Sequence, residues 1–341
     1  MIVHTTVPDP VPDRDGEVIV QVKSCAVCGS DLHVYHGRET GLDQHTVMGH
    51  EFAGVVVETG HGVRRWKVGD RVMSPFTTSC GECHYCRIGL TCRCVRGNLF
   101  GWVADRHGLH GGQAELVRVP MADSTLLPLP EDVSFEEGVL LGDIIPTGFH
   151  CAQRASRLSD DRIGFSGVLG CGPVGLMAIL GARHAGHENV FAFDRIPSRL
   201  EHARRLGAIP VHLGDPDLRK MITDATEGRG LDAVLEVVGS GEALQLAYEL
   251  LRPGGVISAV GVCTDAVLPI SPVQAYDKNI TYSTGRCPAR HLMSGLLPMV
   301  ENAEYDFRSV ISHRMALADG AAAYARFASR EEGMLKVMLQ P

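Results

Sequence analysis

The tightest constraint on this chain is a run of four cysteines, Cys80, Cys83, Cys86 and Cys94, within the stretch PFTTSCGECHYCRIGLTCRC. That spacing presents four thiolates to one tetrahedral metal and reads as a structural zinc site. Three of the four stand at three-residue intervals, so they could not all pair as disulfides without severe strain. A closed shell of four thiolates leaves no open position, so it can order a loop but cannot by itself hold a substrate. Chemistry must be carried elsewhere. Upstream, Cys28 in CAVCGSDLH and His50 in MGHEF offer a second, sparser pair of zinc ligands, each beside a glycine that lets the backbone turn sharply.

With 341 residues the chain is long for one compact core, and two domains are expected. Hydrophobic residues at 45% and charged ones at 21% are ordinary for a globular protein. The net charge of −8 leaves little basic surface for phosphate backbones, so no nucleic-acid partner is expected. No N-terminal stretch combines a basic segment, an apolar core and a small-residue cleavage site, which points to a reducing cytoplasm for the eleven cysteines. Residues 163–182 are twenty positions without a formal charge, long enough to span a bilayer. They carry six glycines and Pro173, however, and a short buried strand, IGFSGVLG, followed by a helix, VGLMAILGARHAG, is the better account. No membrane partner is expected.

That strand-to-helix junction holds Gly170, Gly172 and Gly175 in LGCGPVG, a G-x-G-x-x-G pattern. The first glycine permits the tight turn, the second lets the backbone approach a pyrophosphate, and the third lets the helix pack closely on the strand. Helix N-terminal amides would then hold the anion. Alone the pattern is weak. ENVFAFD strengthens it, a second strand ending at Asp194, 19 residues beyond Gly175 and placed to bind a ribose diol. The same carboxylate would repel a 2′-phosphate and so favours NAD over NADP, although Arg195 and Arg199 could accommodate that phosphate. Further on, PSRLEHARRLGA reads as an amphipathic helix, LDAVLEVVG as a buried strand, GEALQLAYELL as a helix and GGVISAVGV as a strand. This alternation predicts a doubly wound parallel sheet from about 162 to 286. Before Asp143 the runs differ, with short strands such as EVIVQV and GVVVET, many Gly and Pro turns and no long helix, so a mostly β domain is expected with a boundary near Pro146.

Taken in order, CGSDLH at 28–33, GHEFAGVVVETG at 49–60, GDRV at 69–72, the four-cysteine lobe, GGQAELV at 111–117, GDIIPTGFH at 142–150 and GCGPVG at 170–175 make the chain resemble the zinc-dependent medium-chain alcohol dehydrogenases over nearly its whole length. The resemblance implies an α/β protein with a GroES-like, mostly β catalytic domain at 1–146 carrying the zinc lobe at about 76–97. A Rossmann NAD-binding domain would follow at 147–286, with a return to the catalytic domain at 287–341. The opening MIVHTTVPDP begins about where the family's second strand or its approach would be, so the usual first strand is expected to be shortened.

The same resemblance implies two zinc ions per chain and a reversible hydride transfer between a small alcohol and NAD, giving an aldehyde or ketone. Cys28 and His50 become ligands of the catalytic zinc, with Glu51 as a neighbouring or exchangeable ligand and Asp143 as the third. Many members have cysteine at that last position. A Cys/His/Asp set also occurs in the formaldehyde dehydrogenase-like branch that shares the D-I-x-P-T-G run, so a glutathione-independent formaldehyde dehydrogenase or dismutase, or a polyol or threonine dehydrogenase, stays open. Ser30 and His33 take the positions of the proton relay. Thr147 would lie near the nicotinamide, Lys336 near the pyrophosphate, and Pro173, Val174, Val260 and Val262 along the cofactor's path. For Glu51 a buried structural carboxylate, for Asp143 a helix cap, for His33 a surface histidine, and for Thr147 and Lys336 simple packing or surface charge are the competing readings. Trp102, Phe100 and Phe149 are candidate pocket liners, with a place in the core as the competing reading for each, and members of the family assemble as homodimers or homotetramers.

Overall fold

A computed structural model describes residues 2–341, and the chain divides into two compact units. One comprises the chain up to Pro146 together with Pro288–Pro341, the other Thr147–Cys287.

The first unit is built on a seven-stranded sheet centred on the strand Val18–Val27. Val18, Val20 and Val22 are buried while Gln21 and Lys23 on the alternate face are exposed, a period-two pattern broken at Ile19, which is buried as well. Past Lys23 both faces are covered and the run SCAV is wholly buried. Phe52–Thr59 and Lys336–Gln340 flank this strand antiparallel, one on each side. Their registers, Cys25 opposite Phe52 and Val27 opposite Val337, set Cys28, His50 and Lys336 at the same end of the sheet. Strand pairing thus converts three distant segments into one neighbourhood. The unit's core gathers Val20, Phe52, Phe100, Val117, Tyr324 and Phe327. The helix Phe135–Gly142 packs on these strands and begins with a capping box, in which Ser134 Oγ accepts from Glu137 N while the Glu137 carboxylate accepts from Ser134 N. Its C-terminal cap is Asp143.

The second unit is a six-stranded, all-parallel sheet. Its order is Ile209–His212, Asn189–Asp194, Phe165–Leu169, Leu231–Glu236, Leu251–Ala259, Thr281–Thr284, with the chain's first strand in this unit next to its fourth. This is the doubly wound order of dinucleotide-binding folds, and its switch point lies between Phe165–Leu169 and Leu231–Glu236. Every residue of Leu231–Glu236 is buried, as a parallel strand covered on both faces requires. The apolar stretch 163–182 resolves into the strand Phe165–Leu169 and the helix Pro173–His184, whose first residue is proline and whose last turn carries Arg183 and His184 against the carbonyl end. Among the described residues no helix is long and apolar enough to cross a membrane.

Candidate metal centres and nucleotide turn

In the first unit the sulfurs of Cys80, Cys83, Cys86 and Cys94 all lie within 4.8 Å of one another, with Cys80 and Cys86 4.0 Å apart. A tetrahedral zinc with Zn–S near 2.3 Å spaces its sulfurs about 3.8 Å apart, so the lobe is already close to that shell. None of these cysteines is in a disulfide. Backbone amides are turned towards the sulfurs: Cys80 N donates to Cys94 Sγ at 3.3 Å and Cys83 N to Cys80 Sγ at 3.4 Å. Burial opposes the thiolate at Cys80, but hydrogen bonds from Arg96 and from the amides of Glu82 and Cys83 outweigh it and bring that thiol down to about 6. At Cys86 burial wins, and the thiol is pushed up to about 12. The donor set fits a structural zinc with no position left open.

The second cluster in this unit is buried and smaller. Cys28 follows the central strand directly, His50 stands two residues before Phe52–Thr59, and Asp143 caps its helix. One donor atom from each lies within 4.8 Å of the others, His50 Nε2 at 3.3 Å and Cys28 Sγ at 3.8 Å from Asp143 Oδ2. The Ser30 hydroxyl donates to Cys28 Sγ at 3.3 Å and stands 3.4 Å from His50 Nε2. Burial, with Glu51 and Asp143 nearby, raises the Cys28 thiol. Burial alone would lower His50, yet Asp31 and Cys28 hold it well above its ordinary range. A thiol, an imidazole and two carboxylates crowded without solvent favour a cation in their midst, and a Cys/His/Asp set suits zinc while leaving a fourth position for substrate.

Glu51 and Lys336, read separately in the sequence, are partners. Lys336 Nζ forms an ion pair with Glu51 Oε2, with side chains 1% and 0% exposed. Burial pushes the Glu51 carboxyl up to about 7 even beside that ammonium, and Oε1 is buried with no hydrogen-bond partner among the described residues. Glu51 is not one of the donors gathered around Asp143, so its place is next to the candidate metal ligands. For Lys336 the structure supplies a partner other than the pyrophosphate the resemblance implied. His33, on the short helix Asp31–Tyr35, is buried, with Nδ1 unpartnered among the described residues, and burial lowers its ring below the ordinary range.

Sequence reasoning assigned nothing to Asp31, which accepts from Cys28 N at 3.0 Å and lies 3.2 Å from His50 Nδ1. Its position three residues after a metal-facing cysteine was the available signal. Phe100 and Phe149, candidate liners, are instead core residues at 1% exposure; Phe100 stands edge-on to Phe52 at 4.9 Å, and Phe149 packs against Gly181. Trp102 begins one strand of a separate two-stranded ribbon and is partly exposed.

In the second unit Gly170 adopts φ +94°, and Gly170 N donates to Phe193 O at 2.9 Å. A Cβ on Gly175 would lie 1.8 Å from Gly170 O, so no other residue lets the helix start this close to the strand. Gly172 is the N-cap of Pro173–His184, and Arg199 Nη1 lies within 3.9 Å of where a Gly172 Cβ would stand. Asp194 accepts from Cys171 N at 2.8 Å, Arg195 N at 2.7 Å and Ile196 N at 2.9 Å, so one carboxylate ties the glycine turn to the end of the second strand. Arg195 reaches to 3.9 Å from Glu242. Across the switch point, Val260 N donates to Glu236 O, and a Cβ on Gly239 would lie 2.3 Å from Val262 O. Glu236 was also missed: it is buried, Oε1 accepts from Val238 N and Gly239 N at 2.7 Å each, and burial raises its carboxyl. Thr147 is buried, and Val174 lies in the first turn of the helix. An open cavity of about 570 Å³ at the N-terminal ends of the strands, lined by Asp160, Arg162, Glu188, Arg229 and Arg252 among others, lies at the opposite end of the sheet from this turn.

A metal shell with an open position in one unit and a dinucleotide turn in the other define a metal-dependent oxidoreductase, and the comparisons give its family. The model of the alcohol dehydrogenase GroES-like domain matches residues 14–131, and that of the zinc-binding dehydrogenases matches residues 173–302. Zinc-type alcohol dehydrogenase B of Aspergillus flavus is 42% identical over 328 residues, covering 94% of this chain and 74% of the relative. An uncharacterised zinc-type alcohol dehydrogenase-like protein, AdhB of Bacillus subtilis, is 33% identical over 370 residues, covering 100% and 97%. The solved alcohol dehydrogenase TADH from Thermus sp. ATN1 superposes with a TM-score of 0.91 at 35% identity, covering 99% of this chain and 96% of that one. The chain belongs to the zinc-dependent medium-chain alcohol dehydrogenase family.

Proposed function

We propose that the chain oxidises a small alcohol to an aldehyde or ketone with NAD, reversibly, using one zinc held by Cys28, His50 and Asp143 and a second held by Cys80, Cys83, Cys86 and Cys94. The observation that carries this reading is the convergence of one thiolate, one imidazole and one carboxylate within 4.8 Å, apart from a closed four-thiolate shell. When bound, the catalytic zinc supplies Lewis acidity towards the substrate oxygen. The chain's own residues do the rest. Ser30 Oγ stands against two of the three ligands, placed to take the substrate's hydroxyl proton, and His33, buried in the same unit, is the base from which that proton would reach solvent. Glu51 and Lys336 neutralise one another beneath the metal ligands, so neither charge faces the site uncompensated. The glycine turn and the N-terminus of Pro173–His184 would hold the pyrophosphate of a bound NAD, and Asp194, at the end of the next strand, would accept from its ribose diol. We read the first unit as the catalytic domain, the second as the NAD domain, the assembly as a homodimer or homotetramer, and the compartment as the cytoplasm. Metal analysis together with a screen of short, branched, aromatic and polyol alcohols against NAD tests the core of this: two zinc per chain and NAD reduction by at least one alcohol are expected. One zinc per chain and no turnover with any alcohol would overturn it.

His33→Ala is expected to keep both metals and NAD binding yet slow alcohol oxidation by about tenfold or more. The deficit should be deepest at low pH. There hydroxide is scarce, whereas the native ring, lowered by burial, still has its base form below the ordinary histidine range. Small buffer bases should restore part of the rate, and a pH–rate profile matching wild type removes His33 from the relay.

For Asp194→Ser, the ratio of kcat/KM with NAD to that with NADP is expected to fall by about ten- to a hundredfold, the range for hydrogen bonds to a charged group. The NAD rate itself should also drop, because the turn amide of Cys171 loses its acceptor. An unchanged ratio would mean that Arg195 and Arg199, rather than the carboxylate, set the preference.

A further inference from the structure

The GGQAELV segment has no part in the chemistry above, yet its glutamine stands where two of the three metal-facing residues are held. Gly111 N donates to Val47 O at 2.7 Å, Gly112 N to Gly49 O at 2.8 Å and Gln113 N to Met48 O at 2.9 Å, so the segment is laced to the loop that ends at His50. A Cβ on Gly49 would lie 2.4 Å from Gln113 Cγ, so the glutamine side chain rests on the backbone directly before His50. Its amide makes three hydrogen bonds whose direction is fixed by their partners. Nε2 donates to Ala26 O at 3.0 Å and to Asp31 Oδ2 at 3.4 Å, while Oε1 accepts from the Tyr324 hydroxyl at 2.9 Å. Flipped, the amide would set its oxygen against a carbonyl and a carboxylate, two groups that only accept. Asp31 Oδ2 also takes Cys28 N, which leaves Oδ1 for His50 Nδ1 at 3.2 Å. His50 therefore donates from Nδ1 to Asp31, which leaves Nε2, 3.3 Å from Asp143 Oδ2, as the nitrogen a metal would take on displacing its proton.

We propose that Tyr324 and Gln113 are positioning residues for the metal centre: acting through Asp31, they fix the tautomer and ring plane of His50 and hold the backbone of Cys28, so that the ligands are set before metal arrives. This rests on reading Cys28, His50 and Asp143 as zinc ligands. Tyr324 is 1% exposed on the helix Gly320–Ala328, within the core of the same unit. The apolar ring supplies packing, and its single hydroxyl supplies the direction of the chain of hydrogen bonds. Partners of this kind around a ligating histidine tune metal affinity by about ten- to a hundredfold.

Two variants test the assignment. Gln113→Met keeps the side-chain volume without either polar group, and Tyr324→Phe removes one oxygen from an otherwise unchanged ring. Each is loaded with zinc, and separately with cobalt(II), and challenged with a pyridine dicarboxylate chelator. In Gln113→Met, zinc is expected to leave the Cys28 site about tenfold faster than in wild type, and in Tyr324→Phe several-fold faster. The cobalt visible bands should shift or broaden in both, while the four-cysteine zinc is retained as in wild type. Wild-type chelator release and wild-type cobalt bands in the variants overturn the positioning role, even if their melting temperatures fall. A wild-type protein that takes up no second metal defeats the parent reading instead, a distinguishable result. Should Gln113→Met fail to fold, Tyr324→Phe decides by the same two readouts.

Discussion

Asp143→Ala yields a protein with one zinc per chain instead of two, and alcohol oxidation falls more than ~100-fold at every pH, because a lost ligand costs more than the ten- to hundredfold of a lost outer partner. The fold survives. Asp143 follows the last turn of Phe135–Gly142, and that helix is anchored at its other end by the Ser134–Glu137 capping box. What disappears is the carboxylate from which His50 Nε2 lies 3.3 Å and Cys28 Sγ 3.8 Å. Metal analysis and pH–rate profiles check the result. Two zinc per chain with a near-normal rate would show that Glu51, whose Oε1 is buried and unpartnered among the described residues, or another group is the true third ligand.

Lys336→Met removes a cation that is 1% exposed and leaves Glu51, at 0%, without its counter-charge. Breaking one side of a buried pair costs about 3–5 kcal/mol, so the apparent melting temperature should fall by several degrees. Glu51→Leu alone strands the ammonium and should cost a similar amount. The double variant, apolar on both sides, should recover most of the loss, because the penalty lies in the unpaired charge rather than in the missing attraction. Thermal melts of the three variants read the cycle directly. Additive losses in the double variant would mean that the two side chains act independently.

The sequence made legible what is local. The spacing of Cys80, Cys83, Cys86 and Cys94 needs a single loop to meet, and the three glycines after Phe165–Leu169 need one turn. The alternation of strand and helix likewise foretold the doubly wound sheet, since each apolar run there is buried by its own neighbours. Asp143 was reached only through family resemblance, because nothing in GDIIPTGFH itself speaks of a metal. The pairing of Glu51 with Lys336, 285 positions apart, was out of reach, as was the approach of Tyr324 to Gln113, 211 apart. Both depend on strand register and helix packing, which a reading of windows along the chain does not contain. Phe100 failed as a pocket liner for the same reason: apolar character fixes that a ring is buried, not what it is buried against.

The antiparallel strand Lys336–Gln340 and the helix carrying Tyr324 also impose an order in time. A chain emerging from the ribosome presents Cys28, His50 and Asp143 early, and the four-cysteine lobe can close as soon as its own loop is out. Glu51 then waits for its cation, and Gln113 for its phenol, until the whole of Thr147–Cys287 has been made. The four-cysteine lobe thus needs nothing beyond its own loop to gather its thiols, whereas the surroundings of Cys28, His50 and Asp143 are complete only once Tyr324 and Lys336 have joined them.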